Sequence, residues 1–197
     1  MIRLEAPERA SLCELLNALG GDQPTLCEGW RTRDLAAHLV LRESRMVAAA
    51  GIVVPALAGY TARLQSGLAD GEFGALVRRL RTGPPARSPF RLPGVGELLN
   101  GVEFFVHHED VRRAQPGWRP RDLDPATNDF FWRRAGRMAR VALRDVGGPV
   151  VLVRPDTGER HQVGRAATEP TTLRGMPAEL LLYVFGRRAH ALVERSG

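Results

Sequence analysis

The chain has 197 residues, 44% apolar and 25% charged, an ordinary globular composition that excludes wholesale disorder. All 28 basic residues are arginine, set against 22 acids for a net charge of +6; the total absence of lysine beside abundant Ala, Gly and Pro reads as GC-rich codon bias, so the basic balance is not by itself a nucleic-acid signal. Only Cys13 and Cys27 are present, in no C-x-x-C pair, which argues against a disulfide scaffold and a thiolate zinc site.

The length predicts one domain, or one domain with a small appendage. The N-terminus carries Glu5 and Glu8 and no basic-then-apolar signal pattern. Residues 7–19 place Leu12, Leu15, Leu16 and Leu19 at helical spacing, and Gly20, Gly21 and Pro24 then break the chain. A second helix is expected from Thr32 as N-cap, with Asp34 in its first turn. The longest uncharged stretch, Met46 to Ala62, is broken by Pro55 and is shorter than the roughly 20 apolar residues of a spanning helix. A soluble, cytoplasmic protein is the expectation.

Further helices are expected near 56–70 and 72–82, then a Pro- and Gly-rich loop over 83–94. Glu97 to Ala114 is helical again and stops at Pro116-Gly117. Another helix runs from Pro125 to about Arg144, with Phe131, Ala135, Met138 and Ala142 as its apolar face. Four or five such helices with short links predict an antiparallel bundle over residues 1–146. After Gly147 the period changes. Residues 150–154 and 159–163 read as a β-hairpin, 171–174 as a third strand, and Pro177 opens a last helix through residues 178–194. Residues 147–197 therefore form a small α+β subdomain, and the class is mainly α.

The chemistry centres on histidine. Glu103 and His107 are four apart on one predicted helix. Four steps of about 100° leave only about 40° between two side chains, so they share a face one turn apart. His38 lies mid-helix among Ala36, Ala37, Leu39 and Val40, where a histidine has no obvious structural reason. Two imidazoles and one carboxylate make the His₂Glu set of a catalytic zinc with a fourth position open. The oxygen would also admit manganese, iron, cobalt or nickel. The same spacing fits a surface Glu–His pair beside a hydrogen-bonded core histidine.

The segments TRDLAAHLVLRE (32–43) and EFFVHHEDVRRA (103–114) resemble the two motif helices of the DinB-like superfamily. The resemblance is to its actinobacterial branch of metal-binding proteins that includes mycothiol-dependent maleylpyruvate isomerase. PVVLVRPDTGER and AELLLYVFGRR are similar to that branch's small C-terminal domain. The resemblance implies a DinB-like up-and-down four-helix bundle with His38, Glu103 and His107 as metal ligands. It departs from the family in the doubled His107-His108. His108 is turned about 100° from His107 and is assigned to supporting the ligands, touching substrate or lying at the surface. Asp110, one turn past His107, is placed to orient an imidazole N–H; a salt bridge to Arg113 is its other reading. A catalytic arginine of the family's C-terminal domain carries over onto Arg187, which also fits a surface arginine. Cys13 and Cys27 read as small buried hydrophobes.

The implied function is that of a metal- and thiol-dependent transferase or isomerase. One divalent ion, zinc first, would hold a low-molecular-weight thiol, mycothiol by resemblance, as its thiolate. A non-catalytic metal-binding or partner-binding protein is the alternative. A nucleic-acid-binding regulator rests only on the stripe Arg133, Arg137, Arg140 and Arg144, which a solvated face explains. A second cluster, Arg78, Arg79, Arg81, Arg87 and Arg91, surrounds the 83–94 loop. The expected partner is thus a small molecule or thiol, without membrane or nucleic acid; oligomeric state, homodimer included, stays open.

Overall fold

The structure, a computed structural model, describes residues 4–44, 58–86, 88, 90, 95–146, 148–164 and 169–197. Most of the uncharged stretch from Met46, together with Arg87 and Arg91, lies outside the described residues. By contacts the chain divides in two, with one unit ending at Arg119 and the other spanning Pro120–Gly197.

The first unit is helical. Helix α1 (Glu5–Leu19) carries Glu5 and Glu8 in its first turn and stops at Gly20, whose φ of 80° suits a residue without Cβ. Helix α2 (Thr32–Ser44) buries residues on nearly every side, from Leu35 through Leu41. Thr32, expected as its N-cap, lies inside the helix and donates its hydroxyl to the Gly20 carbonyl at 2.6 Å. Arg31 takes the cap position, its carbonyl accepting from Leu35 N–H at 3.1 Å. The Asp34 carboxylate reaches back to the Arg31 N–H at 2.9 Å, the reciprocal half of a capping box.

Helices α3 (Ala58–Ala69), α4 (Phe73–Thr82) and α5 (Val95–Arg113) follow in this unit among the described residues. Helix α1 packs on α5 and α4, and α2 packs on α3 and α4. All five contribute to one core, through residues such as Leu12, Leu16, Leu35, Leu39, Ala69, Leu76, Leu80 and Phe104.

A buried polar knot ties four of these helices together. Arg9 of α1 donates to both carboxylate oxygens of Glu43 on α2, at 2.7 and 2.5 Å. It also donates to the Leu80 carbonyl of α4 at 2.9 Å and lies 4.3 Å over the Phe104 ring of α5. Asn100 of α5 donates to Glu43 at 2.8 Å. Such charges remain buried only because each is paired.

The second unit contains α6 (Pro125–Ala142), strands β1 (Val150–Val153), β2 (Arg160–Val163) and β3 (Thr171–Arg174), helix α7 (Pro177–Val184) and strand β4 (Glu194–Ser196). The sheet order is β2-β1-β3-β4, with β1 antiparallel to β2, parallel to β3, and β3 antiparallel to β4. The fully buried Val-Val-Leu-Val of β1 suits a central strand covered on both faces. Helix α6 packs on α7 and β2.

By contacts α6 groups with α7 in the unit that starts at Pro120, whereas the sequence reading drew its division at 146 and 147. Two expectations change in this unit. The last helix ends at Val184 rather than near 194: Gly186 turns at φ 88°, and residues 194–196 leave to pair with β3. The buried face of α6 runs through Phe131, Ala135 and Ala139, leaving Met138 42% exposed. Arg133, Arg137, Arg140 and Arg144 are all exposed, as a solvated face requires. No helix among the described residues is long and apolar enough to cross a membrane.

Candidate metal centre

His38 of α2 meets Glu103 and His107 of α5. Glu103 Oε1 lies 3.3 Å from His107 Nε2 and 3.8 Å from His38 Nε2. The two imidazole rings stand edge to face, 5.3 Å between centroids, and Trp30 tilts against His38 at 5.0 Å. The three ligand atoms lie within 4.8 Å of one another. Zinc–nitrogen and zinc–oxygen bonds of about 2.0–2.2 Å in a tetrahedron put neighbouring ligand atoms about 3.3–3.5 Å apart. The donor types and their spacing therefore fit a divalent ion with little movement.

The cluster is held from both sides. Asp110 Oδ2 lies 2.9 Å from His107 Nδ1, which turns Nε2 toward Glu103. Asp110 is fully buried, while Arg113 pairs with Glu109 at 2.6 Å. The Cys27 thiol donates to the same Asp110 oxygen at 3.3 Å and lies 4.0 Å from His107 Nδ1. On the other side, Arg42 Nε approaches Glu103 Oε1 at 3.5 Å. The Arg42 guanidinium also donates to Asn100 Oδ1, which links the centre to the Arg9–Glu43 knot.

These contacts set the charges. Burial alone would raise Glu103, but hydrogen bonds from His107 and His38, with the charges of His107 and Arg42, hold it far below the ordinary carboxylate range. Burial lowers His38, and the neighbouring His107 charge lowers it further. For His107 burial acts the same way but loses to the hydrogen bonds of Asp110, Cys27 and Glu103, so its pKa is raised well above the ordinary value. Without an ion the centre therefore rests with Glu103 ionised, His38 neutral and His107 protonated.

No protein-family model matches the chain, and no curated protein matches it by sequence. Solved structures do match. One is the crystal structure of the mycothiol-dependent maleylpyruvate isomerase, with a TM-score of 0.63 and 15% identity over 98% of this chain and 89% of that one. A second is a mutant of that isomerase, with a TM-score of 0.63 and 16% identity over the same shares. This chain has the fold of mycothiol-dependent maleylpyruvate isomerase. The isomerase-like fold agrees with the helical bundle and C-terminal α+β unit read from the sequence.

Within this isomerase fold, four of the six singled-out residues come together: His38, Glu103, His107 and Asp110. His108 points to α1, its Nδ1 2.9 Å from Glu8 Oε2. Arg187 belongs to the second unit, half-buried just past α7, with Nη1 donating to the Phe185 carbonyl at 2.5 Å. Cys27, expected as a buried hydrophobe, instead joins the centre through Asp110. Arg42 was not singled out; its place one turn after His38 on α2 is the signal that marks it.

Proposed function

We propose that the chain is a divalent-metal protein of the thiol-dependent isomerase or transferase type, with His38, Glu103 and His107 as ligands and zinc as the preferred ion. The convergence of these three side chains from two helices carries the reading. The fold shared with an isomerase named for its dependence on mycothiol supports a small thiol as the partner. A bound ion would supply a Lewis acid that favours thiolate over thiol at neutral pH. The residues themselves supply the rest. Two imidazoles and one carboxylate leave one tetrahedral position for another ligand. Asp110 holds the His107 ring through Nδ1, so that Nε2 faces Glu103. Arg42 places a positive charge beside the centre, where an anionic group on a substrate would be attracted.

Cobalt substitution tests this reading. Cobalt should load at about one ion per chain, as a single three-ligand centre requires. Its visible spectrum should shift when mycothiol or a simpler thiol is added. Glu103→Ala should abolish the response by weakening or misplacing the ion. A cobalt spectrum that ignores thiols would leave a metal-binding protein without thiol chemistry.

A further inference from the structure

The contacts of Cys27 go beyond support for His107. Cys27 Sγ, His107 Nδ1 and Asp110 Oδ2 form a triangle with sides of 3.3, 4.0 and 2.9 Å. All three are metal-ligand atoms of different kinds, and they lie within 4.8 Å of one another. A tetrahedral ion bonded at about 2.3 Å to sulfur and about 2.0–2.2 Å to nitrogen and oxygen separates these atoms by about 3.3–3.6 Å. The observed sides bracket that range. The ion would sit where the protons of Nδ1–H and S–H now point at the shared carboxylate oxygen.

Cys27 cannot serve the first centre directly. It faces Nδ1, whereas Glu103 and His38 face Nε2. The two ring nitrogens point their lone pairs away from each other, so one ion cannot take both. We propose that Cys27, His107 Nδ1 and Asp110 form a second metal site, for a thiophilic divalent ion such as cadmium or zinc, on the opposite edge of the His107 ring from His38 and Glu103.

Charge and softness distinguish the two sites. A divalent ion with the Cys27 thiolate, the Asp110 carboxylate and a neutral imidazole is a neutral assembly, which suits a wall that is largely buried. The same ion with His38, His107 and Glu103 keeps one positive charge and has Arg42 beside it. Sulfur in the second set favours soft ions, and the all-nitrogen-and-oxygen first set does not. Cys27 is the half-buried member of the triangle and gives the ion a way in. The thiol proton and the Nδ1 proton both leave to solvent as the ion enters. The ring then carries its remaining proton on Nε2, aimed at Glu103, so a neutral His107 serves one site at a time. A thiophilic ion in the second site thereby removes one ligand from the first.

Cadmium alone, added to the full metal-free chain, tests the proposal. Thiolate bonding to cadmium gives an ultraviolet charge-transfer band. That band should saturate at about one ion per chain in the wild type and persist in His38→Ala, since the second triangle does not include His38. Cys27→Ser should lose it, because the remaining thiol, Cys13, is buried in the core and donates to the Val77 carbonyl. Asp110→Asn should bind cadmium roughly tenfold or more weakly. In the unsubstituted chain, cadmium should also protect the Cys27 peptide from alkylation, a readout that needs no variant to fold. No band in the wild type, a band retained in Cys27→Ser, a band lost in His38→Ala, or unprotected Cys27 would each overturn the second site. None of these outcomes bears on the cobalt response at the first centre, so the two readings fail separately.

Discussion

Asp110 and His107 show how one side chain makes another useful. An imidazole with Nδ1 bonded to a fully buried carboxylate has one free direction for its second nitrogen, and here that direction is Glu103. Asp110→Asn keeps the shape but removes the charge that steadies the ring. Metal affinity at the His38–Glu103–His107 centre should fall about 10- to 100-fold, read by chelator competition. The raised pKa of His107 has a stability consequence. A histidine whose folded value is raised contributes stability that is fully present below its ordinary value of 6.5 and is lost as pH rises through the folded value. The lowered His38 acts in the other window, losing its contribution as pH falls below 6.5 toward its folded value. The metal-free protein should therefore weaken as pH rises above neutral. His107→Gln should flatten that limb in denaturant midpoints taken across a pH series. A wild type as stable at alkaline pH as at neutral pH would contradict the protonated resting state.

At the scale of helices, the Arg9–Glu43–Asn100 knot explains why α2 and α5 present their ligands in register. Glu43 lies five residues past His38, and Asn100 three before Glu103, so fixing one pair fixes the other. Glu43→Ala leaves the buried Arg9 guanidinium with Glu5 and the Leu80 carbonyl as its hydrogen-bond acceptors among the described residues, and should cost about 3–5 kcal/mol. Thermal unfolding of the metal-free chain measures it, and a loss well under 1 kcal/mol would show the knot to be incidental. Helix α6 offers a second test. A Cβ at Gly136 would stand 3.1 Å from the His161 ring. Gly136→Ala should therefore gain about 1 kcal/mol of helix propensity in a His161→Ala background and lose that gain in the wild type. The helices and the Glu103–His107 pair were legible because they are local: a 3.6-residue period and an i,i+4 step need no partner. His38 was visible as a histidine out of place on an apolar helix, and the family resemblance joined it to the pair. Cys27 carried no such mark, since 83 residues separate it from Asp110 and only the folded loop before α2 brings them together. The over-long reading of the last helix has a similar cause. The pull of β3 on residues 194–196 is a non-local pairing that a helical run of apolar residues conceals.

For the molecule as a whole, the question is what the net charge of +6 does. Among the described residues the buried arginines are taken up within the fold. Arg9 is committed to Glu5 and Glu43, Arg113 to Glu109, and Arg154, almost fully buried, to Asp129, Asp156 and Glu159. The exposed stripe on and just past α6 has four arginines, Arg133, Arg137, Arg140 and Arg144, with exposed Met138 and Val141 between them and no aromatic ring exposed among them. Such a stripe attracts any polyanion but offers little to read a base. Each phosphate neutralised contributes a slope of about −0.9 in log affinity against log salt for duplex DNA, so four contacts allow no more than about −4. Fluorescence anisotropy with a labelled duplex should show weak, sequence-indifferent binding at low salt that is gone by physiological salt. Replacing Arg137 and Arg140 by Gln should reduce the slope by about 2. Tight binding at physiological salt, or a preference among duplexes of different sequence, would restore the regulator reading and demote the metal centre to a structural role.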